Sequence, residues 1–127
     1  ERKVVYANAG HPPPLLLRRP EGRLLPLGAL NDDPEMALGL AGDVEYTLQE
    51  IEVLKGDSLI LYTDGVFEAE NPNGEQVGIN RFQKWVLQNS ERPMPELLGN
   101  LMQSLEDFCG TNEFGDDVCL FGMDFVR

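Results

Sequence analysis

A chain of 127 residues fits one domain or part of one, and a hydrophobic content of 42% is enough for a real core. Asp and Glu outnumber Lys and Arg 22 to 10, a formal charge of −12, which excludes binding driven by neutralising nucleic-acid phosphates or an anionic membrane surface. No apolar run approaches the roughly 18 residues that would indicate a membrane span.

In chain order, the opening Glu1-Arg2-Lys3-Val4-Val5-Tyr6 lacks the charged-then-apolar layout of a signal peptide. Residues 4–8 read as a strand, and Ala9-Gly10-His11-Pro12-Pro13-Pro14 as a stiff connection into a second strand, 15–18. Pro20-Glu21-Gly22 turns the chain into a short segment at 24–27, making a hairpin or meander. Asn31-Asp32-Asp33-Pro34 is a turn or helix start. Residues 43–53 alternate at Val44, Tyr46 and Leu48, then shift phase to Ile51 and Val53, which predicts a half-exposed strand with a bulge near Gln49-Glu50. Lys55-Gly56-Asp57 turns into a strand at 58–63 that is apolar on both faces.

The spacing then predicts two helices. Residues 78–89 place Ile79, Phe82, Trp85 and Val86 on one face, and residues 95–108 do the same with Leu97, Leu101, Leu105 and Phe108. A last strand, 118–125, is again apolar on both faces and follows Asp116-Asp117. Strands apolar on both sides belong in a sheet covered on both sides, so the fold class expected is layered α+β. Cys109 and Cys119 allow one disulfide at most. Cys119 lies in an apolar run, where free cysteine acts as a small hydrophobe, and a reduced, cytoplasmic protein is expected.

The stretch "LILYTDGVFEAEN" runs a dry strand into Thr63-Asp64-Gly65. Asp-Gly is an ordinary turn signal. A carboxylate at the mouth of a buried strand is nevertheless costly unless paired, hydrogen-bonded or metal-bound. If the strands at 58–63 and 118–125 are antiparallel neighbours, Asp64 and Asp116 meet at one sheet edge. Two such carboxylates repel unless a cation lies between them, and hard divalent cations choose oxygen ligands. The acidic balance points the same way, since a phosphorylated substrate is repelled unless bound cations reverse the local field. Solubility alone is the plainer explanation of that balance.

Other phosphate chemistries fail on the residues. Gly115 and Phe125 stand six positions after Cys109 and Cys119, where a cysteine phosphatase has Arg. No GxxxxGK[ST] loop exists, and one histidine with cysteines ten apart makes no zinc cluster. No GxSxG elbow accompanies His11, which reads as an anchor of its loop.

The order "YANAGHPPPLLL", "LPLGAL", "GDSLILYTDGVFEAENPNGEQVG", "GDDVCLF" closely resembles the bacterial SpoIIE/RsbU-like serine phosphatases of the metal-dependent (2C-type) protein phosphatase superfamily. The likeness runs from Val5 to about Met123. It implies an αββα four-layer sandwich of two antiparallel sheets flanked by helices. It also implies that Asp64 and Asp116 ligate a divalent metal, with Asp117 the further ligand candidate. Gly65 permits tight backbone beside the site, and Gly10 and His11 have a structural role in their loop. Glu68 and Asn71 match the pattern too, with capping explaining them as well as catalysis does. Cys119 stands where the family usually has Thr, a small, half-buried side chain of little consequence.

The family's earlier Gly-Asp-x-x-Gly-His-Gly-like segment, whose Asp bridges both metals, has no match here. The resemblance therefore implies the C-terminal portion, residues 1–127, of a single Mn²⁺- or Mg²⁺-dependent serine/threonine phosphatase domain, which needs two ions when intact. It implies attack by a metal-activated water on a phosphorylated protein, an anti-sigma-factor antagonist, in stress or developmental signalling. An upstream sensor or receiver domain is a further expected partner, and a homodimer is left open. The runner-up is a catalytically inactive, phosphatase-like binding module. A third class, an acidic structural domain, predicts no divalent binding at all.

Overall fold

The computed structural model describes residues 2–28 and 35–127, so the turn expected at 31–34 lies outside the described residues. Among the described residues there are six strands, three α-helices and one 3-10 turn (Arg19–Glu21): β1 (Arg2–Tyr6), β2 (Leu15–Arg18), β3 (Arg23–Pro26), β4 (Gln49–Val53), β5 (Asp57–Tyr62), α1 (Asp64–Glu68), α2 (Ile79–Gln88), α3 (Met94–Cys109) and β6 (Leu120–Asp124). All pairings are antiparallel: β1 with β4 in a two-stranded ribbon, and β3-β2-β5-β6 in a four-stranded sheet.

The register sorts the apolar residues onto two faces of the larger sheet. Leu15 pairs with Ile60 and Tyr62 with Leu120, and these, with Leu17, meet the helices. The helices answer with Phe82 and Val86 from α2, and Leu97, Leu101 and Leu105 from α3. The other face carries Leu16 and Leu59, which pack with Val53, Val4, Tyr6 and Ile51 of the ribbon. Leu15, Leu16, Leu17 and Ile60 are fully buried, each worth roughly 1.5–3 kcal/mol of transfer free energy. The expected two antiparallel sheets are present, with helices over one of them. A helical layer over the β1–β4 ribbon is not found among the described residues.

Several expectations are corrected. The strand expected at 43–53 is only β4, because β1 offers five partners and the register ends at Tyr6–Gln49. Beyond that pair Val44, Tyr46 and Leu48 alternate without a strand to meet, and Leu48 is exposed. The first strand lies two residues earlier than its alternation indicated. The Asp64-Gly65 turn is the first turn of a short helix, α1. The β6 strand is not dry on both sides: Phe121 is 55% and Met123 39% exposed, on the face that Leu59 shares. Both cysteines are free, with Cys109 buried and Cys119 exposed rather than half-buried.

Candidate metal centre

Thr63 is the joint between β5 and α1. It occupies the N-cap position of α1, where a threonine hydroxyl ordinarily caps the helix, yet it makes no such bond. Its hydroxyl instead donates to the Asp117 carbonyl at 2.9 Å and accepts from the Cys119 amide at 2.9 Å. Its own amide donates to the Cys119 carbonyl at 3.1 Å. Residues 116–119, which lead into β6, are thereby stitched to the start of α1. Nothing in the sequence pattern singled Thr63 out, because a threonine before Asp-Gly reads as a cap or turn residue.

Gly65 closes the other side. A Cβ there would overlap the Asp117 carbonyl oxygen and stand 3.0 Å from its carbon. The requirement is close approach, since Gly65 is not among the positive-φ glycines.

The antiparallel pairing of β5 with β6, assumed from sequence, is present, with Tyr62 opposite Leu120. Three exposed carboxylates converge beyond that pair: oxygens of Asp64, Glu68 and Asp116 all lie within 4.8 Å of one another. Asp64 and Glu68 come together because positions i and i+4 share a helix face. Asp116 comes to them through the Thr63 stitch, and its Oδ1 accepts from the Asp117 amide at 2.7 Å. The Asp117 carboxylate is not part of the cluster. What Asp117 contributes is its carbonyl, to Thr63. Glu68, assigned equally to capping by sequence, is the third member; the i, i+4 spacing from Asp64 was the signal for it. Asn71 does serve a turn, its Oδ1 accepting from the amides of Asn73 and Glu75 at 3.0 and 2.9 Å.

Among the described residues none of the three carboxylates takes part in an ion pair. Three like charges this close, with no Lys or Arg to answer them, repel. An all-oxygen donor set of this kind fits a hard divalent cation and offers nothing to a soft one.

The cluster forms the ridge between two clefts. One, of about 350 Å³, is lined by Asn8, Gly10, His11, Asp64, Phe67 and Glu68 with neighbours. The other, of about 390 Å³, is lined by Gly65, Glu68, Glu70, Glu113 and Asp116 among others. His11 thus lies across a cleft from Asp64 and Glu68, outside the carboxylate cluster. Its loop is locked by Asn8, whose side chain donates to the His11 carbonyl and accepts from the His11 amide, both at 2.8 Å. The His11 ring donates from Nδ1 to the Pro12 carbonyl at 2.7 Å. Gly10, at φ +77°, turns this loop against Ala37. These bonds hold the His11 backbone and ring within the loop.

Comparison with known proteins adds a family to this geometry. The chain is 26% identical over 110 residues to the phosphoserine phosphatase RsbU of Bacillus subtilis, covering 85% of this chain and 32% of that protein. Among solved structures, the SiaA-PP2C domain of Pseudomonas aeruginosa superposes with a TM-score of 0.78 at 21% identity, covering 98% of this chain and 46% of that one. The RsbU and RsbW domains of a Mycobacterium tuberculosis protein superpose at 0.75 and 24%, over 96% of this chain and 33% of that one. The chain thus spans about a third to a half of the length of these three proteins. The sequence model for stage II sporulation protein E (SpoIIE) matches residues 1–126, and the chain belongs to that family.

Proposed function

We propose that residues 1–127 are the C-terminal part of a divalent-metal-dependent phosphoserine/phosphothreonine phosphatase domain, with Asp64, Glu68 and Asp116 as its contribution to the metal centre. The observation that carries this reading is the convergence of three unpaired carboxylates at the junction of β5, α1 and the lead-in to β6. It is supported by membership of the SpoIIE family and by likeness to a protein named as a phosphoserine phosphatase.

The residues divide the work. Asp64 and Glu68 present their carboxylates from one face of α1, and Asp116 presents its own from the strand lead-in that Thr63 and Gly65 hold in place. Mn²⁺ or Mg²⁺, when bound, supplies charge neutralisation for the phosphoryl oxygens and an acidified water. The two clefts offer room for the chain on either side of a phosphorylated residue, with the locked Asn8–His11 loop as one wall. In this reading, which rests on the resemblance of the motifs to SpoIIE/RsbU-like phosphatases, the substrate is a phosphorylated anti-sigma-factor antagonist, and an upstream sensor or receiver domain sets the activity.

The test is phosphate release from a phosphoserine peptide by the full-length protein, with Mn²⁺ titrated from zero. Turnover that requires Mn²⁺ and disappears in Asp116→Asn is the expected result. Turnover in EDTA equal to that in Mn²⁺ would refute the proposal.

A further inference from the structure

On the helical side, α2 and α3 leave a groove of about 470 Å³ between them, lined by Asn80, Arg81, Lys84, Trp85, Gln88 and Phe108. None of these residues lines either cleft beside the carboxylates. On α2 the residues recur at 80, 84 and 88, with 81 and 85 beside them, so one stripe of the helix forms the wall. The floor is aromatic: the Trp85 and Phe108 rings meet edge to face, 6.2 Å apart at 68°. The Arg81 guanidinium lies over the Phe108 ring at 4.4 Å.

The two cations differ. Arg81 is fixed by Glu75 at 2.7 Å and by the Gln76 carbonyl at 3.2 Å, so its charge is partly answered and its position set. Lys84 is exposed and, among the described residues, takes part in no ion pair. On a chain with ten basic residues and 22 acidic ones, a groove lined by two cations and no carboxylate is the reverse of its surroundings. The pocket around Arg19, Lys55 and Arg92 also gathers cations, but Glu91 and Asp124 are interleaved there.

We propose that the α2–α3 groove docks a short acidic peptide segment of a partner protein, with an apolar side chain of that segment seated on Trp85 and Phe108. Its flanking carboxylates meet Lys84 and the open edge of Arg81, while Asn80 and Gln88 are placed to bond the peptide backbone. Aromatic rings rimmed by cations are the kind of surface on which a few side chains dominate binding. The negative field of the rest of the chain sets the length. A long polyanion leaving the groove is repelled, whereas a short segment is not.

The experiment uses the full-length protein and a fluorescein-labelled peptide of Asp and Glu around a central Leu-Phe, followed by anisotropy at about 150 mM salt, where a Debye length of about 8 Å screens the distant acids and leaves the close contact with Lys84. Lys84→Glu should weaken binding about ten-fold, a size reasonable for reversing one exposed charge in a carboxylate-binding site. Lys55→Glu should leave it unchanged, and a peptide with Gly-Gly in place of Leu-Phe should bind markedly less. Lys84 is exposed, so the variant keeps its fold, which a melting curve checks. Equal weakening by Lys55→Glu, no effect of Lys84→Glu, or full binding of the Gly-Gly peptide would each overturn the proposal. Two other occupants overturn it as well. One is a second copy of the chain, shown by a dimer in sedimentation that Lys84→Glu dissolves without peptide. The other is single-stranded DNA that binds as tightly and with the same dependence on Lys84.

Discussion

The α-carbon of Gly65 lies so close to the Asp117 carbonyl that a Cβ would overlap the oxygen. The first turn of α1 and the lead-in to β6 therefore touch backbone to backbone, and this contact sets the separation of Asp64 from Asp116.

Gly65→Ala must push the two segments apart, and overpacking of this kind costs about 1–3 kcal/mol. The variant should melt earlier and lose Mn²⁺ affinity. Gly99→Ala is the contrast. Gly99 lies exposed within α3 with open space where its Cβ would stand, so alanine should stabilise by about 0.5–1 kcal/mol. Calorimetric melts of both variants, with and without Mn²⁺, decide the matter. A Gly65→Ala protein that melts and binds as the wild type does would show that the contact is slack.

Thr63→Val keeps the shape and removes the hydroxyl, leaving the Asp117 carbonyl and the Cys119 amide without their partner. Both bonds are exposed, so water can reach the freed groups and stability should fall by only about 0.5–1.5 kcal/mol. Thr63→Ser should restore most of the loss, which separates the hydroxyl from the methyl. Cys119→Thr should be neutral in the same denaturant titration, because the Cys119 side chain is exposed and only its backbone is used.

The carboxylates should show opposite signs with and without metal. In EDTA, replacing any one of Asp64, Glu68 or Asp116 by its amide relieves repulsion and should raise the melting temperature. In saturating Mn²⁺ the order should invert, with the wild type most stable and the three variants inactive. Asp117→Asn should do neither, since its carboxylate lies outside the cluster. Thermal shift in the two buffers reads this directly. An Asp117 variant behaving like Asp116→Asn would return Asp117 to the ligand set.

The sequence made most of this fold readable where local pattern and tertiary partner agreed. The spacing of Leu97, Leu101 and Leu105 marked α3, and the unbroken apolar run at 59–62 marked the central strand. It misled where one partner was missing: Val44, Tyr46 and Leu48 alternate as a strand does, but β1 ends before reaching them. At the site, Asp64 and Asp116 were legible as acids at the ends of two strands. Glu68 was not distinguished from a cap: its i, i+4 spacing from Asp64 is a signal only once α1 is known to be a helix. Thr63 was invisible for the same reason, its hydroxyl bonding to residues 54 and 56 positions away.

Tyr62 makes a prediction at high pH. Its side chain is buried, its hydroxyl has no hydrogen-bond partner among the described residues, and burial pushes its pKa up to about 12. Below the unfolded value of 10.0 both states hold the proton and no stability is lost. As pH rises from there towards 12 the unfolded chain ionises first, so this residue lowers stability across that window. Tyr62→Phe should remove that part of the alkaline loss. It should also gain up to about 1 kcal/mol at neutral pH by deleting an unsatisfied buried group. Urea titrations of both proteins at neutral and alkaline pH test this. A phenylalanine variant with the same alkaline slope would assign the loss to other groups.

The last prediction concerns residues 1–127 by themselves. On the ribbon-facing side of the larger sheet, Phe121 and Met123 stand exposed along β6, and Val126 follows at 72% exposure. That strand is also an edge, with β5 on one side and no strand on the other among the described residues. An open edge with apolar side chains beside it is a template for pairing with another chain. Three carboxylates can hold one cation, but a cation with so few protein ligands keeps most of its waters and binds weakly. Two-metal hydrolysis requires ions about 3.5–4 Å apart, which one cluster does not enforce. Purified 1–127 should therefore self-associate in light scattering and show no Mn²⁺-dependent turnover of p-nitrophenyl phosphate. Phe121→Lys together with Met123→Glu should reduce the association without restoring turnover. Metal-dependent turnover by monomeric 1–127 would mean that the chain already holds every essential ligand, and the claim that one lies outside it would have to be abandoned.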